Sequence, residues 1–158
     1  MNEKSSNPFR YTVSARPTMY SGTKYRSELE ASWACFFDIR GIHFEFEPAL
    51  DLLSWKPDFL IRIQDSFELA EVKPFISEKQ WKESGTLKKI NESLQGSTLA
   101  ILLGVSPLTP SNFIFRITSV HGLENPEFEE LNFGPADDVK RDWARAKNTV
   151  QWRPNGTQ

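Results

Sequence analysis

Between Ser27 and Gly41, Leu29, Trp33, Phe36, Phe37 and Arg40 recur at helical spacing, and four of these five are apolar. Ser27 suits an N-cap, and Glu30 three residues later completes a capping-box pattern. Gly41 supplies the left-handed residue that ends such a helix. Ahead of this helix, residues 11–26 alternate polar and aromatic stretches around Ser21-Gly22 and predict a small hairpin. After it, Ile42 to Glu47 alternates strictly and reads as a strand. Phe59–Ile63 and Phe67–Val72 read as two further strands joined by a turn at Gln64-Asp65-Ser66. Ser77 to about Gln95 has helical character with a break near Gly85. Thr98–Leu103 is fully apolar and reads as a buried central strand. Phe113–Val120 is another strand, 121–135 a loop, Asp137 to about Lys147 a last helix, and 148–158 a tail.

This order of elements predicts an α/β domain with a mixed central sheet flanked by helices. The division it suggests is an N-terminal arm over 1–17, a core over 18–120, and a C-terminal helical extension and tail over 121–158. The chain has 158 residues, enough for one core, and 39% apolar residues with 12 Phe and 5 Trp to fill it. A charged fraction of 25% is ordinary for a globular domain. Cys35 is the single cysteine, so no disulfide forms within one chain. That fits a reducing, cytoplasmic setting, here expected to be a bacterial host cytoplasm. No run approaches a membrane span, and MNEKSSNPFR lacks the apolar stretch of a signal peptide.

Two short segments carry the chemistry. In Lys56-Pro57-Asp58-Phe59-Leu60-Ile61 and Glu68-Leu69-Ala70-Glu71-Val72-Lys73, ionisable residues sit at the edge of, or inside, apolar strands. Burying such charges is costly unless they pair or hold a metal. Strand alternation puts Glu71 and Lys73 on one face. A turn at Gln64-Asp65 sets residue 58 opposite 71, and a turn at Asp65-Ser66 sets it opposite 73. Both bring Asp58, Glu71 and Lys73 together within one cross-strand spacing, ~5 Å, while a slip of one residue undoes the arrangement. Two carboxylates at that distance suit Mg²⁺. The lysine beside them could orient or deprotonate an attacking water, or offset charge on a phosphate. The bland alternatives are a turn cap for Asp58 and a solvated strand face for Glu71 and Lys73.

Pro57-Asp58 followed at hairpin distance by Glu71-Val72-Lys73 resembles the signature of the PD-(D/E)XK nuclease superfamily, with its restriction-endonuclease-like fold. The stretch Tyr25–Ala34 with Phe36-Phe37-Asp38 resembles the first helix of small phage and bacterial members. Phe44–Pro48 and Ile101–Gly104 resemble later core segments. The resemblance runs from about residue 18 to 104, and residues 105–158 match nothing in that pattern. It implies an Mg²⁺-dependent (or Mn²⁺-dependent) endonuclease acting on DNA, in phage or mobile-element DNA processing. Asp58 and Glu71 would be metal ligands, with the Val72 carbonyl as a third. Lys73 would act on the attacking water, and Glu30 would complete the catalytic set. The capping box with Ser27 explains Glu30 equally well without catalysis.

The net charge of −2 and pI of about 5.8 count against a protein that coats DNA on its own. Lys79, Lys82, Lys88 and Lys89 form a candidate nucleic-acid-binding cluster that reads equally as a solvated helix face. Lys140, Arg141, Arg145, Lys147 and Arg153 form a second basic group. Mild acidity therefore leaves two further readings open. One is an endonuclease subunit of a larger transposition or recombination complex, or a homodimer. The other is a non-catalytic nuclease-fold binding protein or inhibitor. His43 and His121 are too isolated for a zinc site. Trp33, Trp55 and Trp81 read as packing, and Gln80 as solvated.

Overall fold

The computed structural model describes residues 15–52, 54–94, 99–116 and 127–151. Thr18–Tyr20 (β1) and Thr23–Tyr25 (β2) form the expected hairpin. Its turn needs positive φ at both central residues, and Ser21 (48°) and Gly22 (79°) provide it. The first helix, α1, spans Glu28–Ile39, with Ser27 as N-cap and Gly41 at φ 68° beyond its end. Next come Phe44–Phe46 (β3), Phe59–Ile63 (β4) and Ser66–Val72 (β5). The helical segment is broken at Ser84-Gly85 into Glu78–Glu83 (α2) and Thr86–Leu94 (α3). Leu99–Leu103 (β6), Phe113–Arg116 (β7), Glu127–Glu130 (β8) and Ala136–Thr149 (α4) complete the described chain.

Six strands form one mixed sheet in the order β3-β4-β5-β6-β7-β8. Only β5 and β6 run parallel, and α2 and α3 make the crossover that parallel neighbours need. Alternation along the strands divides the core into two layers. Phe59, Ile61, Ala70, Val72, Ile101 and Leu103 face a cluster with Trp33, Phe36 and Phe37 of α1 and Val139 and Ala146 of α4. Ala100, Leu102, Phe113 and Phe115 face the opposite way, onto Trp55, Phe75, Trp81, Leu87 and Ile90. The sheet therefore lies between α1 with α4 and α2 with α3. Ion pairs tie the outer two helices: Arg40 Nη1 to Asp142 Oδ2 at 3.0 Å, and Lys147 Nζ to Glu28 Oε1 at 3.4 Å.

One expectation is corrected. The 121–135 segment is not all loop, because Glu127–Glu130 pairs antiparallel with β7 as the sheet's outer strand. Its sequence, EFEE, presents exposed acids, and Phe128 alone packs inward, against Phe113 and Phe115. Charged side chains suit an edge strand, and they also hide it from an apolar pattern. The expected strand residues 117–120, His121, Arg153, the N-terminal arm up to residue 14 and the tail from residue 152 lie outside the described residues. Among the described residues, no helix is long and apolar enough to cross a membrane.

Candidate metal centre

The site is built at the end of the β4–β5 hairpin. Its turn is Gln64-Asp65, with Ile63 paired to Ser66 and Gln64 at φ 53°. This is the first of the two registers that keep Asp58 with Glu71. The ladder stops at Phe59–Ala70, one step before Asp58. From there Asp58 continues the contact differently. Its N–H donates to the Ala70 carbonyl at 3.0 Å, and its Oδ2 accepts the Val72 N–H at 2.8 Å. Its carbonyl accepts the Glu47 N–H at 2.8 Å. Asp58 is thereby clamped to two neighbouring segments, and its side chain is almost fully buried.

Glu71 is buried as well, inside β5. Its Oε2 accepts the Trp55 indole N–H at 2.6 Å, and its Oε1 lies 3.4 Å from Lys73 Nζ. Burial pushes the Glu71 carboxyl up to about 7, and the negative charge of Asp58 adds to the rise. Burial also raises Asp58, against the Val72 N–H and the positive charges of Arg26 and Lys73. The end of β6 is fixed close by. The Lys73 N–H donates to the Leu103 carbonyl at 3.0 Å. Gly104 follows, where a Cβ would collide with the Phe75 and Ser111 carbonyl oxygens. Buried Asn112 accepts the Gly104 N–H at 2.8 Å and fixes this crossing.

Glu30 comes to the same place from α1. Its N–H donates to Ser27 Oγ at 3.1 Å, as the capping box requires. Its Oε2 accepts the Arg26 N–H at 3.0 Å, one residue outside the usual reciprocal partner. Burial pushes this carboxyl up to about 7, with the charge of Asp58 as the next cause. Glu30 is therefore both a cap and a neighbour of Asp58.

Two members were not apparent from sequence. Arg26 sends its guanidinium among Glu30, Glu47 and Asp58. Trp55, expected as packing alone, also holds Glu71. The only prior signals were the adjacency of Arg26 to a helix cap and of Trp55 to Pro57-Asp58.

Among the described residues, no group of three or more His, Cys, Asp or Glu side chains is arranged to hold a metal ion. The donor set instead suits a hard cation that needs only two carboxylates and keeps its waters, as Mg²⁺ does. Asp58 and Glu71 offer two buried acids whose mutual repulsion such an ion would relieve.

The lysines stand apart from this cluster, on α2 and α3. Lys82 Nζ is 2.6 Å from Glu78, while Lys79 and Lys88 lie 3.9 Å from Glu83 and Glu92. Lys89 is exposed on α3. Gln80 accepts the Ile76 N–H at 2.6 Å and closes the α2 cap. Comparison with protein-family models, curated proteins and solved structures finds no match to this chain.

Proposed function

We propose that this chain is a metal-dependent nuclease with the restriction-endonuclease-like fold of the PD-(D/E)XK superfamily, hydrolysing phosphodiester bonds in DNA. One observation carries the reading. Asp58 and Glu71 are buried acids at one sheet end, near enough for one to raise the other's pKa, with Lys73 paired to Glu71. Burial raises both carboxyls even though Arg26 and Lys73 pair with them from the solvent side, and a divalent cation would stabilise both in the ionised form, so the arrangement favours a cation-dependent role.

Asp58 and Glu71 would hold Mg²⁺ or Mn²⁺, which supplies a polarised phosphoryl oxygen and a water activated near neutral pH. Lys73 reaches beyond Glu71 with about a third of its side chain exposed, so its ammonium can meet a phosphate oxygen or the attacking water. Glu30 adds a third acid beside Asp58. Lys79, Lys82, Lys88 and Lys89 would extend a track for the phosphate backbone on the α2–α3 layer. The test is cleavage of plasmid and oligonucleotide DNA, and of RNA, with Mg²⁺ or Mn²⁺. Wild type should cut, and Asp58→Ala and Lys73→Ala should each abolish cutting. Activity equal to wild type in both variants would sink the assignment.

A second reading, an endonuclease subunit whose partner supplies DNA affinity, is favoured by the ion pairing of the lysines. Three of the four are partly neutralised by a glutamate one turn away. Strong cutting of naked DNA by the purified chain would argue against it.

A further inference from the structure

The site contains one cation that the proposed chemistry leaves without a role. Arg26 precedes α1, and its guanidinium reaches acids from three segments. Nε lies 3.1 Å from Glu47 Oε1 and 3.7 Å from Glu30 Oε1, and Nη2 donates to Asp58 Oδ1. Among the described residues Nη1 donates no hydrogen bond. The Arg26 side chain is 56% exposed while that of Asp58 is 4% exposed, so a surface group supplies the counter-charge of a buried one.

The four oxygens of Asp58 and Glu71 fall into two classes. Asp58 Oδ2 and Glu71 Oε2 are held by rigid donors, the Val72 N–H and the buried Trp55 indole. Asp58 Oδ1 and Glu71 Oε1 are held by long side chains with access to solvent, Arg26 and Lys73. A carboxylate anchored through one oxygen can exchange the partner of the other without moving.

We propose that Arg26 is the resident counter-ion of Asp58 Oδ1, that it cedes this oxygen to a divalent cation, and that the freed guanidinium binds a non-bridging oxygen of the DNA phosphodiester. The inference rests on reading Asp58 and Glu71 as a cation site. Glu47 and Glu30 both pair with Nε, whose N–H is not part of the Nη1–Nη2 edge. Those contacts can persist when Asp58 is released, keeping the side chain at the mouth of the site with both amino groups free. That edge is the planar fork that matches phosphate oxygens in pairs.

The test is calorimetric titration of Mn²⁺ into wild type, Arg26→Ala and Arg26→Lys at pH 8.5, with circular dichroism to verify folding. Arg26→Gln replaces the alanine variant should that one unfold. Removing the competing charge should tighten Mn²⁺ binding about tenfold, whereas Arg26→Lys, which keeps the charge, should stay within about twofold of wild type. With Ca²⁺ present, binding of a phosphorothioate DNA oligonucleotide to Arg26→Ala should weaken about tenfold. Unchanged or weaker Mn²⁺ binding by Arg26→Ala, with wild-type binding intact, overturns this proposal alone. Tighter Mn²⁺ binding with undiminished oligonucleotide binding overturns its phosphate half. Absence of Mn²⁺ binding in all the proteins overturns the cation site itself, and this inference with it.

Discussion

The indole N–H of Trp55 donates to Glu71 Oε2 at 2.6 Å, across sixteen residues of sequence. Trp55 is itself packed among Phe75, Trp81 and Leu102, so it presents a fixed donor to a buried acid. Trp55→Phe keeps most of the apolar bulk and removes that donor. The loss of a hydrogen bond to a charged group should cost about 1–3 kcal/mol of stability, read by urea denaturation. A partner that orients a metal-binding carboxylate is also worth about 10–100-fold in metal affinity or activity, so cleavage should fall by that factor. Wild-type cleavage in Trp55→Phe would show that the indole only fills space.

Glu30 and Gln80 allow one job to be separated from another. Both close a capping box behind a serine. Ser27 accepts the Glu30 N–H and Ser77 accepts the Gln80 N–H, and each long side chain accepts the N–H of the residue before its serine. At α2 a neutral amide does this, so the cap has no need of charge. At α1 the same place holds an acid raised to about 7 by burial. Glu30→Gln should therefore keep the cap, with a thermal midpoint no lower than that of wild type, and lose most DNA cleavage. Ser27→Ala should instead lower stability by about 1 kcal/mol, the worth of an N-cap. Full activity in Glu30→Gln would reduce Glu30 to its cap.

How much of this could be read beforehand depends on sequence distance. Helix ends, the Ser21-Gly22 turn and the β4–β5 hairpin are set by neighbours a few residues apart, and each is legible. The Asp58–Glu71 pairing follows from one short turn and strand parity. Arg26 meets Asp58 across 32 residues and Trp55 meets Glu71 across 16, and neither contact leaves a local pattern. β8 was hidden for a different reason. An edge strand exposes most of its side chains, so EFEE has no apolar alternation to betray it. The capping box showed why Glu30 is where it is, but only the approach of α1 to the sheet end could put it beside Asp58.

The lysines make separable predictions about nucleic-acid affinity. Lys82 is close to Glu78 and lies 5.2 Å from the centre of the Phe128 ring, so its charge is already engaged. Lys89 has no ion pair among the described residues. If this face meets DNA, Lys89→Ala should reduce the slope of log affinity against log salt by about 0.9, the value for one phosphate contact. Lys82→Ala should change it less. Fluorescence anisotropy over a series of KCl concentrations reads both, and an unchanged slope in Lys89→Ala would remove α3 from the interface.

Two of the three raised carboxyls, Glu30 and Glu71, also shape the pH dependence of the metal-free protein. Glu30 and Glu71 titrate at about 7 when folded, against about 4.5 when unfolded. Between these values the folded chain binds more protons than the unfolded chain, so stability must fall as pH rises. The slope per group approaches 1.4 kcal/mol per pH unit. Above about pH 8 both states are almost fully ionised at these positions and the loss levels off. Thermal melts should therefore show a lower midpoint at pH 8 than at pH 5.5. Glu71→Gln should remove part of that slope and be the more stable protein at pH 8. If Asp58 and Glu71 hold Mg²⁺ as proposed, it would bind them ionised, so it should raise the wild-type midpoint more at pH 8 than at pH 5.5 and leave Glu71→Gln little changed. Parallel pH profiles for wild type and Glu71→Gln would mean that folding does not raise the Glu71 carboxyl.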